Sequence, residues 1–156
     1  MDTTQKTTSQ IAIESLDAIY SELIGQTEEL RDAFFQTALS LHEGKPGHVP
    51  IAIRIRQTSP NAKTIEWIKI IMKSKAKGKK ENLYFSINKG VGSRYRVGSF
   101  SFVKEPLKEI VRSYEAQLAD IREACSVNRR IRRQLVPHTV KVAKIAAVTA
   151  QVSGAA

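Results

Sequence analysis

A single cysteine, Cys125, stands among 156 residues, so the chain forms no internal disulfide and offers no multi-cysteine metal site. Ordinary packing is the expected use of its thiol, in a reducing compartment. No stretch approaches the roughly 18 consecutive apolar residues that a spanning helix needs, and the opening MDTTQKTTSQ has none of the basic-then-apolar layout of a secretory signal. The expectation is a soluble, cytoplasmic protein with no membrane partner. His42, His48 and His138 are too scattered for a helical metal motif, so no metal is expected and no cofactor. Nor is there a Gly-x-Ser-x-Gly string, or a pair of carboxylates in the basic part of the chain, and the expectation is a protein that is not an enzyme. The run from Lys89 to Arg94, Lys-Gly-Val-Gly-Ser-Arg, misses the Gly-Lys-Ser/Thr ending and the following helix of a phosphate-cradling loop; it reads as a hairpin turn.

Positive charge is what the chain does have. There are 25 Lys and Arg against 15 Asp and Glu, a formal net charge of +10, on an otherwise ordinary globular composition of 42% apolar and 26% charged residues. The excess is localised. Residues 1–43 hold 8 acids and 2 bases, residues 44–104 hold 14 bases and only Glu66 and Glu81, and residues 105–156 hold 9 bases and 5 acids. A polyanionic partner is expected to meet the middle third.

The spacing of apolar residues changes along the chain in a way that sets the organisation. Leu16, Tyr20, Leu23, Thr27, Leu30, Phe34 and Leu41 recur at helical spacing and predict a long helix over 9–42, capped by Thr8 or Ser9, weakened near Gly25 and ended by Gly44, Pro46 and Gly47. The period then becomes two. Strands are predicted at 51–56, 64–73, 82–88 and 93–102, the last bulged near Gly98 or Ser99. Pro106 opens a second helix carrying Leu107, Val111, Tyr114, Leu118, Ile121 and Cys125 to about Leu135, ahead of Pro137. Residues 1–8 are expected to be disordered, 9–135 to form one domain, and 136–156 to be an Ala-rich tail, a short helix or disordered. The fold class is therefore α+β, a four-stranded antiparallel sheet flanked by two long helices in the order α-β-β-β-β-α. The helical stripes exceed what one sheet face requires, which suits pairing with each other or in a homodimer.

Strand alternation is expected to gather Arg54, Arg56, Lys69, Lys73, Arg94 and Arg96 on one wet face, with Trp67, Tyr84 and Asn88 beside them: cations for phosphates and rings for stacking on bases. The competing explanation is that cations keep an exposed sheet soluble and guard its edges; the scarcity of acids in this third favours nucleic acid, with DNA the expected partner ahead of RNA although the residues themselves favour neither strongly. Lys73, Lys75, Lys77, Lys79 and Lys80, with Gly78 among them, form a flexible cationic finger suited to clamping phosphates or simply to being a solvated turn. Arg129, Arg130, Arg132 and Arg133 make a second cluster late in the last helix, where cations also complement the helix dipole.

Ile65-Glu66-Trp67, Lys89-Gly90 followed by Arg94-Tyr95, and Glu115 ahead of Ile121-Arg122, together with the order of elements, resemble the MobI-type mobilisation accessory proteins of conjugative elements over about residues 60–125. The resemblance implies a non-catalytic protein that binds the origin of transfer and assists relaxosome assembly, with a relaxase or other mobilisation protein as partner. Two alternatives stay open: an RNA-binding or translational regulator that uses the same basic face, and a protein-interaction factor that docks through its helices.

Overall fold

The computed structural model describes residues 6–154, so the expectation of disorder for residues 1–5 lies outside the described residues. In chain order there follow helix α1 (Thr8–His42), strands β1 (Ile51–Ser59), β2 (Ala62–Ser74) and β3 (Lys80–Ser86), and helix α2 (Leu107–Gly154), with short 3-10 turns at Ala76–Gly78 and Val97–Phe100. The described residues divide into two compact units, one of residues 24–123 and one of residues 6–23 with 124–154. No helix among the described residues is long and apolar enough to cross a membrane.

Helix α1 starts one residue ahead of the expected cap. Thr7 Oγ1 accepts from the Gln10 backbone N–H and Gln10 Oε1 accepts from that of Thr7, a reciprocal box that satisfies two otherwise orphaned donors. Gly25 stays helical, and the helix ends as expected, with Gly44 at φ 73° and Lys45 N–H donating to the His42 carbonyl. Helix α2 corrects the expected stop near Leu135, for it continues through Pro137 to Gly154. The proline removes one donor from the Arg133 carbonyl, but both residues are exposed, so water can serve that carbonyl, and Ala143, Ala146, Ala147 and Ala150 beyond it favour helix.

In the larger unit the sheet is antiparallel in the order β1-β2-β3, with three strands rather than four. The expected fourth strand is a turn followed by a 3-10 segment, and side chains explain why. Past Ser86, where the β3 pairing ends, Ile87 N–H donates to the Trp67 carbonyl, the Trp67 N–H donates to the Tyr95 hydroxyl at 3.1 Å, and Arg122 Nε donates to the Ile65 carbonyl at 2.9 Å. Tyr95 is thus committed at its hydroxyl to β2 and at its backbone N–H to Glu115 of α2, which holds residues 93–96 away from a strand partner. Gly90 and Gly92, at φ 78° and 91°, supply the left-handed conformations that turn the chain there.

The core of this unit centres on Trp67, which is fully buried. Phe34 of α1 meets the Trp67 ring edge-on at 5.0 Å and the Tyr114 ring of α2 at 5.4 Å, and Phe100 meets Trp67 at 5.7 Å, spacings at which edge-to-face aromatic pairs attract. Ile51, Ile53, Ile65, Val103, Val111 and Leu118 fill the space around them. The buried Glu115 carboxylate binds the polar edges of this core: it accepts from Trp67 Nε1 at 2.6 Å, from Tyr95 N–H at 2.8 Å, and from Arg122 Nη1 at 3.0 and 3.1 Å. Arg122 lies 4.9 Å from the Tyr95 ring centre, and burial pushes the Tyr95 phenol above its ordinary pKa, so it serves as a neutral hydroxyl.

The smaller unit pairs the first part of α1 with the last part of α2, antiparallel. Asn128 Nδ2 donates to the Leu16 carbonyl at 2.9 Å, and Asp17 receives Arg129 at 3.0 Å and Arg132 at 2.7 Å. Arg129 also lies over the Tyr20 ring at 4.0 Å, and buried Cys125 packs in this unit as expected of a lone thiol.

Two outcomes follow from these networks. Glu115→Ala strands Arg122 in the core and should lower the unfolding free energy by about 3–5 kcal/mol in urea titration, with Glu115→Gln costing less because its carbonyl still accepts; a loss under about 1 kcal/mol for the alanine variant would contradict the network. Asp17, held below its ordinary value of 3.8 chiefly by the hydrogen bond from Arg132, contributes stability that is present above that value and disappears as the pH falls through the lowered one. Wild type and Asp17→Asn should therefore differ in thermal unfolding at neutral pH and converge in strong acid; a constant gap would refute the ion pair's role.

Candidate nucleic-acid interface

The register of β1 on β2 decides which side chains share a face. Ile53 lies opposite Trp67, Ile51 opposite Lys69, and Arg54 opposite Glu66. Trp67, Lys69, Ile71 and Lys73 therefore lie on the isoleucine side, where Trp67 meets the core and Ile71 and Lys73 run on past it exposed, and Glu66, Ile68, Ile70 and Met72 lie on the arginine side. This corrects the expected wet face, from which Trp67, Lys69 and Lys73 must be removed. Strand β2 carries apolar residues at both parities, so its own alternation does not fix its phase, and a slip of one residue exchanges the faces. Trp67 is enclosed and cannot stack on a base; Lys69 Nζ sits 4.7 Å from the Phe102 ring centre.

The open face holds Arg54, Arg56 and Tyr84, with Tyr84 opposite Ile70 and 57% exposed, as expected. Its charge is not free. Arg54 Nε donates to Glu66 Oε1 at 2.8 Å, its Nη2 donates to Ser86 Oγ at 2.7 Å, and Arg56 Nε reaches the same Glu66 oxygen at 3.3 Å. The Glu66 side chain, only 8% exposed, draws both guanidinium groups onto one carboxylate. Asn88 is exposed past the end of β3, where its Oδ1 accepts from the Gly90 N–H.

Arg94 and Arg96 leave the sheet altogether, because the strand that would have carried them does not form. Arg94 Nη2 lies 3.5 Å from Asp120 Oδ1 of α2, and Arg96 is exposed just before the 3-10 turn. Arg129, Arg130, Arg132 and Arg133 belong to the smaller unit, where Arg129 and Arg132 bind Asp17 and Arg130 and Arg133 are exposed.

What the structure does gather is the lysine finger. Strand β1 starts at Ile51, opposite Lys69, and just ahead of it the Pro50 carbonyl accepts from the Ile70 N–H at 2.7 Å while the His48 ring bonds the Ile70 carbonyl, so from the Ile71–Leu83 pair to the Ser74–Lys80 pair β2 and β3 continue as a two-stranded ribbon. Four residue pairs extend it about 14 Å. Its tip turns through Ala76–Gly78, closed by Lys75 N–H on the Lys79 carbonyl, with Lys77 at φ 66° and Gly78 at φ 72°. Lys73, Lys75, Lys77, Lys79 and Lys80 are all exposed, and among them only Lys75 is paired, with Glu81 at 2.9 Å. Ile71, Tyr84 and Phe85, at 39, 57 and 49% exposed, present apolar surface along the same ribbon. Ile71 and Phe85 were not expected at a site; Ile71 is exposed by the overhang, which depends on the difference in length between β1 and β2 that only their register reveals, whereas Phe85, opposite Lys69, lies at its base on the outer strand of the sheet.

A family model described as MobI protein matches residues 23–136. No curated protein matches the chain significantly, and neither does any solved structure.

The enclosure of Trp67 has a spectroscopic consequence. Acrylamide should quench its fluorescence weakly in the native protein and strongly in urea, and nucleic acid should leave the native emission unchanged; a native signal quenched as readily as the unfolded one would put the indole back among the exposed rings.

Proposed function

The chain belongs to the MobI family of mobilisation proteins, and from that membership we propose that it is a non-catalytic DNA-binding accessory factor that acts at an origin of transfer and assists relaxosome assembly beside a relaxase or another mobilisation protein. The observation that carries this reading is the ribbon of β2 and β3, whose lysine tip has one acid, Glu81, for five cations. A two-stranded ribbon fits the width of the DNA major groove, and each phosphate neutralised by a lysine releases condensed counterions. Lys73, Lys77, Lys79 and Lys80 make no ion pair among the described residues and so give up no such bond on meeting a phosphate, whereas Arg54 and Arg56 would have to leave Glu66. The ribbon, rather than the sheet face, is the primary contact.

A second reading draws on Tyr84 and Phe85. Exposed rings on a cationic ribbon also suit unpaired bases, in RNA or in a melted strand, because every base offers a face for stacking.

Fluorescence anisotropy against a salt series tests both. Exchanging Lys77, Lys79 and Lys80 for Gln should reduce the slope of log affinity on log salt by about 2–3 on duplex DNA, near 0.9 per lost phosphate contact, while Arg31→Gln with Arg112→Gln leaves it unchanged. Equal changes in the two variants would remove the ribbon from the site. Tighter binding of a single strand than of the duplex at one salt concentration, with the advantage lost in Tyr84→Ala, would replace the duplex reading with the second.

A further inference from the structure

Where α1 ends and the chain enters α2, the larger unit holds a cleft of about 490 Å³, a size usual for small-ligand sites. Leu41, Pro46, Pro50, Phe102 and Leu107 give it apolar walls. Its charge is positive. Lys45 and Lys104 line it and are exposed, and Lys69 Nζ lies 4.7 Å from the centre of the Phe102 ring. None of these three lysines has an ion pair among the described residues. The one acid of the lining, Glu105, is already committed: it accepts from the Glu109 N–H at 3.2 Å and lies 3.8 Å from Arg112. Of the two histidines, His48 Nε2 is bound to the Ile70 carbonyl, whereas His42 Nε2 is shut from solvent with no hydrogen-bond partner. Buried polar atoms are seldom left unfilled in folded proteins, so His42 has a bond to gain.

The cleft adjoins the foot of the ribbon. Pro50 accepts from the Ile70 N–H at 2.7 Å, and Lys69, which reaches over Phe102, pairs across the sheet with Phe85. Cross-strand partners share a face, and Ile71 and Lys73 continue that face toward the tip. Apolar groups and cations therefore follow one another from the cleft outward as Phe102, Lys69, Phe85, Ile71 and Lys73. Such a track suits a single strand of nucleic acid, whose phosphates repeat along it and whose bases offer uncharged faces.

We propose that the cleft receives one unpaired nucleotide, with its base against Phe102 and the proline rings and its phosphate on Lys45 and Lys104. The inference rests on the DNA-binding reading above, which supplies the nucleotide from a strand held along the ribbon. Two observations favour a nucleotide over a simple organic acid. Three lysines without ion pairs are more than one carboxylate neutralises, and the cleft continues into a surface suited to neighbouring phosphates and bases. A polar edge of the base is the partner that His42 Nε2 lacks. Taking a base out of the stack costs least where the strand is already melted, so the site gives the protein a means of preferring opened DNA.

Nuclear magnetic resonance of the full chain tests this through the ring signals of His42 and His48. Thymidine monophosphate should shift them to saturation, while thymidine, inorganic phosphate and benzoate each need about tenfold more to reach the same shift. Lys45→Gln with Lys104→Gln, at two exposed positions, should weaken the nucleotide about tenfold and leave perfect-duplex affinity within about twofold, while affinity for an oligonucleotide with an unpaired stretch falls. Exchanging Lys77, Lys79 and Lys80 for Gln should leave the nucleotide titration as it is in wild type. Benzoate as effective as the nucleotide, or a Lys45 and Lys104 variant that binds the nucleotide like wild type, would overturn the inference. If the nucleotide moves neither ring while duplex binding keeps its salt dependence, the cleft is wrong and the ribbon stands. If the nucleotide titrates as expected but no DNA binds, the cleft stands with a free nucleotide as its ligand, and the ribbon reading falls.

Discussion

The Glu115 carboxylate is the point on which the larger unit turns. A charged group taken out of water is stable only where its lone pairs are filled, and here the indole of β2, a backbone N–H of the segment after the sheet and the guanidinium of Arg122 fill them. Those three donors come from different parts of the chain, so satisfying one carboxylate fixes α2, β2 and residues 93–96 against one another. Arg122 retains one buried nitrogen without a partner. Such an arrangement adds less to stability than an apolar core of equal volume would, but it is intolerant of losing a member, and it specifies one packing.

The same network accounts for most of what could not be read ahead. Helical spacing made both helices legible, and Gly44 with Pro46 marked the end of the first; their reach was underestimated only where Pro137 suggested a stop that exposed backbone does not enforce. The β1–β2 and β2–β3 hairpins were legible too, as were the arginines of β1 on its open side, but the turn expected at Lys89–Arg94 leads into no strand. Alternation is a local signal, however, and cannot say which backbone edge meets which. The edge of β2 at Ile65 and Trp67 is met by Arg122 and Tyr95, the first of them more than fifty residues away in the chain, and no strand pattern encodes that. The phase of β2 failed for a related reason. Trp67 and Ile68 are both buried, so neither parity of that strand looks wet in the sequence, and only pairing with β1 distinguishes them.

Charge behaves the same way. Counting bases across residues 44–104 located the basic region correctly, yet two acids did more than their number suggests: Glu66 draws in Arg54 and Arg56, and Glu81 holds Lys75. In the smaller unit Asp17 holds Arg129 and Arg132 in the same manner. A cation already committed to a carboxylate exchanges one partner for another when it meets a phosphate, and the net gain is small. The useful quantity is therefore the number of cations that have no carboxylate within reach.

By that measure the ribbon stands apart from the sheet face for a mechanical reason. A carboxylate can be brought to a cation only where neighbouring strands or a helix present one, and past Ile70 β2 has lost its neighbour on one side while β3 offers only Glu81. Extending two strands beyond the third thus does two things at once: it leaves an apolar side chain, Ile71, partly exposed, and it leaves the lysines near the tip without partners among the described residues, Lys75 excepted. Both are costs to an isolated domain, since a two-stranded ribbon is marginal by itself and like charges repel along it. An anionic partner relieves the repulsion and covers the rings, so the feature that weakens the ribbon alone is the one that gives it something to gain on binding.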